Sequence, residues 1–145
     1  MENLGLAYAI GAAVTWGLVY TLDQKILSNV SPITLLFIDS LVTAVLMLPF
    51  VFFDNGSVKT LFSSGKTNLL LVAASLTLAL VANFLIFSSI KILGSSTASI
   101  IEIAYPFFVV LFSFILFRST PNMYFFMGGI LIFIGSIIII KLAQP

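Results

Sequence analysis

The sequence predicts an all-α membrane protein, a bundle of five transmembrane helices. Three observations lead there. Hydrophobic residues make up 61% of the 145 residues and charged residues 8%, against about 25% charged in soluble domains. Mean hydropathy is +1.24. Five apolar stretches, at about 4–22, 32–53, 68–90, 95–117 and 123–141, are each long enough to cross a hydrocarbon core as a helix, which takes roughly 20 residues. Their connections are short, so residues 1–145 read as one transmembrane domain.

Composition also sets limits on the chemistry. The chain has no cysteine and no histidine. That removes disulfides, cysteine and histidine metal sites, and Ser-His nucleophiles. No enzyme activity, metal or cofactor is expected. The formal net charge of +1 indicates no nucleic-acid partner. Fifteen phenylalanines suit a surface that faces lipid. The start, MENLGLAY, lacks a basic region and runs on into a full-length apolar segment, so no cleaved signal peptide is expected. The expected location is the inner or plasma membrane.

In the first span, Gly5, Ala9, Ala13 and Gly17 recur every four residues. Small residues on one face let helix backbones approach closely, and ordinary packing within the membrane is the expected use. Trp16 and Tyr20 share another face. Trp16 falls near mid-span, away from the interfacial belt, where it either lines a cavity or faces lipid. Asp23 and Lys25 mark the expected exit to water.

Ser31-Pro32 opens the second span with a good N-cap followed by a proline suited to the first helical position. Asp39 sits inside that span with Thr43 one turn on. A charged aspartate there needs a partner from another span, a cation or a proton. A purely structural bond to a neighbouring helix is the competing reading. The one substantial loop, 54–67, begins with the turn residues DNGS, and its VKTLF piece suits the membrane interface. On the third span Ser75, Ala79, Ala82 and Asn83 form a small, polar face. Such a face packs on a helix or lines a cavity, and Asn83 is its most informative member.

The fourth span, SSTASIIEIAYPFFVVLFSFILF, holds the most pointed signal. Glu102 is isolated in apolar sequence, and Pro106 follows four residues later. Proline has no amide to give to the carbonyl four residues back, so one turn combines an acid, a freed carbonyl and a kink. Intramembrane acids are costly and usually functional. The bland reading is a structural kink with Glu102 bonded to a neighbour. Ser95, Ser99 and Ser113 follow the same face, with Tyr105 beside it. Thr120 and Pro121 open the fifth span, where Gly128 and Gly135 share a face and suggest close helix contact. An odd number of spans puts the termini on opposite sides. One side then carries Lys59, Lys66 and Arg118, and the other Lys25, Lys91 and Lys141. Basic residues set topology, and three against three sets none.

With these residues in place the chain resembles the EamA-like domain of the drug/metabolite transporter superfamily. The resemblance rests on Thr15-Trp16-Gly17, Ser31-Pro32, Gly94-Ser95-Ser96-Thr97-Ala98-Ser99 leading to Tyr105-Pro106, and the Gly128 to Gly135 spacing. It covers nearly the whole chain. Typical members are similar to two such units fused as inverted repeats, so the resemblance implies half of a ten-helix transporter fold, with a cavity lined by spans one, three and four and their counterparts. Two departures bear on substrate. Asp39 stands where the family often has arginine, and Arg118-Ser119 where it often has glycine-glutamate.

The expected function is a secondary transporter moving a small organic solute by alternating access. Glu102 leads for solute or proton binding, Pro106 shapes the site, and Trp16, Tyr20, Asn83 and Tyr105 line it. Asp39 is the second acid. With two acids and no base inside the spans, a cation or proton fits better than an anion. The expected partners are the bilayer, the solute and a second, antiparallel copy of the chain. The rivals are a small-multidrug-type proton-coupled exporter and a structural subunit without transport of its own.

Overall fold

A helix in lipid must satisfy its backbone internally, and the apolar stretches are helical. The structure is a computed structural model describing residues 2–54, 56–120 and 122–142. Its helices are α1 (Glu2–Leu27), α2 (Pro32–Phe53), α3 (Ser57–Ser63), α4 (Lys66–Leu93), α5 (Ser95–Glu102), α6 (Tyr105–Phe117) and α7 (Met123–Leu142). No strand occurs among the described residues. Five segments are long and apolar enough to cross a membrane, with α5 and α6 together forming the fourth. The five-span, all-α class is therefore what folds. Pro121, expected at the opening of the fifth span, lies outside the described residues, as do residues 143–145.

Two features differ from the sequence reading. The first helix does not stop near Leu22 but continues to Leu27. Asp23 lies inside it and is 7% exposed. At about 1.5 Å per residue the 26 residues of α1 span about 39 Å, beyond a core of about 30 Å. Backbone hydrogen bonding carries the helix past the point where its side chains turn polar. The second difference is at Pro106. In place of a kink within one helix there is a break. α5 ends at Glu102, Ile103 and Ala104 form a turn, and Pro106 falls in the first turn of α6. In a first turn proline's missing amide costs nothing.

The chain divides into two compact units. In the unit Lys25–Ser88, Ser31 Oγ accepts from the Thr34 amide at 3.1 Å, the expected cap of α2. The loop folds its VKTLF piece into α3, entered through Gly56 in a left-handed conformation, φ 87°. Leu27, Leu36 and Phe87 are the buried apolar residues of this unit among those described.

The other unit joins Met1–Gln24 to Ser89–Pro145. Here α7 packs on both α5 and α6. The close contact falls on Gly129, where a Cβ would lie 3.6 Å from the Phe107 ring. Gly128 and Gly135 meet nothing within 4 Å, so the expected pair is displaced by one residue. Ser136 is buried, and its one hydroxyl proton is shared between the Ile132 carbonyl of its own helix at 2.9 Å and the Ile100 carbonyl of α5 at 3.1 Å, which brings α7 against α5. On α1, a Cβ at Gly5 or Gly17 would also meet nothing within 4 Å among the described residues.

Candidate functional site at the α5–α6 break

Glu102 is the last residue of α5, and its carboxylate is met from α1. Tyr20 Oη donates to Glu102 Oε2 at 2.7 Å. The depths agree. Glu102 lies seven residues after the start of α5 and Tyr20 seven residues before the end of α1. At about 1.5 Å per residue each is about 10 Å from the same end of the two helices. Both side chains are half-buried. A phenol donating to a carboxylate is a charge-assisted bond, shorter and stronger than a neutral pair.

Helical spacing adds two more residues to this face of α1. Trp16, one turn before Tyr20, has its ring centroid 5.5 Å from the Tyr20 ring at an interplanar angle of 55°. Gln24, one turn after, reaches α5 at its first residue. Its Oε1 accepts from the Ser95 amide at 2.7 Å and from Ser95 Oγ at 2.6 Å. Residues 16, 20 and 24 thus share one edge of α1, and α5 is bonded to it at Tyr20 and Gln24. Asp23 and Tyr105 are within electrostatic range of Tyr20.

Of the residues singled out from the sequence, the structure brings Glu102, Tyr20 and Trp16 together and sets Tyr105 and Pro106 just past the break. Asp39 and Asn83 belong to the unit Lys25–Ser88. There Asp39 is exposed on α2 and Asn83 half-buried on α4. Gln24 was not anticipated. Its signal was its place one turn beyond Tyr20, obscured by the neighbouring charges that suggested water. The partner it finds, Ser95, follows Gly94, whose φ of 81° and ψ of 159° only glycine adopts readily.

An apolar groove of about 300 Å³ lies elsewhere in this unit, between α6 and α7, lined by Pro106, Phe107, Val110 and Gly129 among others. It has volume but no ionisable group of Glu102's kind. Neither Tyr20 nor Glu102 lines it.

The family described as EamA-like transporters matches residues 3–141. Comparisons with curated proteins and with solved structures return no match. The family match spans the α1 edge, the break and all five membrane segments, and so this chain belongs to the EamA-like transporter family, multi-pass membrane transporters of the drug/metabolite superfamily.

Proposed function

We propose that the protein is a secondary transporter that moves a small organic solute by alternating access, with Glu102 taking up a proton or the cationic part of the solute. The observation that carries this reading is the hydrogen bond from Tyr20 to Glu102 at a helix break inside a transporter-family span. Broken backbone is tolerated at membrane depth only where protein or a water-filled cavity covers it. Transporters commonly build their sites at such interruptions. Trp16, Tyr20 and Tyr105 border the acid, and Pro106 opens the helix that follows the break. Two acids without a base in the spans favour an organic cation or proton exchange.

The working form is an antiparallel homodimer in the inner or plasma membrane. Few apolar side chains are buried within the chain: among the described residues, Leu27, Leu36, Phe87, Ile90 and Ala98. One five-span unit lacks a second cavity wall, and a second copy is the simplest source. An odd number of spans makes that copy an inverted repeat only if it inserts the other way up, which the three-against-three distribution of basic residues permits. The two Glu102 carboxylates would then sit about 10 Å from opposite ends of the spans. Transport by purified protein in liposomes, against a metabolite and organic-cation library, tests the reading. A chain that moves nothing and copurifies with one large, non-identical partner would be a structural subunit instead.

A further inference from the structure

We infer that Gln24 is the positioning residue of this site: by capping α5 from α1 it fixes the register of the two helices and so holds Glu102 against Tyr20. The inference rests on the reading of Glu102 as the working acid.

A helix start leaves its first amides without partners, and a Ser, Thr, Asp or Asn side chain at the cap usually supplies the acceptor. The cap residue of α5 is Gly94, which has no side chain to offer. Ser95 is 8% exposed, so its amide and hydroxyl need protein partners. Both find one atom, Gln24 Oε1, at 2.7 and 2.6 Å. A carbonyl oxygen has two lone pairs, and this geometry uses both. The acceptor comes from another helix, so what would be a local cap becomes a fixed distance between α1 and α5.

That link stands in register with the site. Gln24 is one turn from Tyr20, and Ser95 is two turns from Glu102, on antiparallel helices. One link fixes the start of α5 and the other its end. Among the hydrogen bonds described between these two helices, the other is the one to Glu102, and without the first the acid serves as an anchor of its own helix. A further tie on α5, from Ser136 to the Ile100 carbonyl, comes from α7 and does not set the α1 register. With the start of α5 anchored by Gln24, the Tyr20–Glu102 bond is left able to open and close.

The absence of native cysteine makes a direct test possible. Tyr20→Cys and Glu102→Cys are introduced together into the full chain, which removes the second link and leaves the register to Gln24. A short bifunctional methanethiosulfonate then bridges the two thiols, and intact mass separates bridging within one chain from bridging between chains. Thermal unfolding of each variant reports folding. Bridging within the chain is expected to be efficient with Gln24 present and to fall at least about fivefold with Gln24→Leu, which has a similar size and no acceptor. Gln24→Glu, which keeps the acceptor, is expected to restore it. Ser95→Ala, which removes one of the two donors, is expected to lower it about twofold. Unchanged bridging in folded Gln24→Leu would overturn the inference and leave Gln24 a helix cap only. If Gln24→Leu does not fold, Ser95→Ala decides in the same way. Because bridging requires no transport, a failed transport assay bears on the proposed function and not on this result.

Discussion

Tyr20 Oη and Glu102 Oε2 are 2.7 Å apart, although 82 residues separate them in the chain. This bond joins the one aromatic edge of α1 to the acid at the end of α5. Tyr20→Phe removes the donor and keeps the ring. A hydrogen bond to a charged group contributes roughly 1.5–3 kcal/mol, and a loss of that order is expected in thermal unfolding of the purified protein. Transport should slow, because the carboxylate loses the group that holds it in place.

Gly94→Ala puts a side chain where φ is 81° and ψ 159°. The nearest atom to the added Cβ would be Gln24 Oε1 at 3.6 Å, an ordinary contact, so the cost is backbone strain and not a clash. Strain in such a region is worth about 1–3 kcal/mol. The melting temperature should fall accordingly, and Gly94→Ala should be more damaging than Gly5→Ala in α1, where a Cβ meets nothing within 4 Å.

Pro106→Ala restores an amide that can be donated to the Glu102 carbonyl. Since Pro106 lies in the first turn of α6, its removal relieves no interior-helix penalty. Stability should be unchanged or slightly higher, while transport falls as α5 and α6 tend to join into one helix. A loss of several kcal/mol, the scale of a broken core contact, would show that Pro106 serves packing.

The antiparallel pair predicts both orientations in one membrane. A single cysteine in the exposed helix α3, such as Ser57→Cys, should label from either side of intact cells. Two added lysines on one side should trap one orientation and abolish activity, and co-expression with the oppositely biased variant should restore it. Labelling from one side only would rule out the pair.

Much of this was legible because lipid narrows the options. Apolar length gives spans, and Ser31-Pro32 gives the start of α2 through cap chemistry. An acid four residues before a proline located the break but not its form, because a proline can sit inside a kinked helix or just inside a new one. Neighbouring turns decide between these, here Ile103–Ala104. Hydropathy locates an apolar span, not the end of a helix. Charge at Asp23 and Lys25 signals proximity to water, whereas the helix ends where its backbone bonds end, at Leu27. The neighbouring charges concealed Gln24, whose role depends on Gly94 leaving a cap unfilled 70 residues later, a long-range relation without a local pattern. Likewise Gly128 and Gly135 share a face by spacing, but contact with Phe107 selects Gly129.

Glu102 is proposed as the group that binds. The most direct measurement is a thermal-shift screen of the purified wild type and Glu102→Gln side by side against a library of metabolites and organic cations. Compounds that stabilise the wild type are expected to lose most of their effect on Glu102→Gln, whose own melting temperature stays close to that of the wild type. Compounds that stabilise both proteins alike would contradict the account and return Glu102 to a structural role.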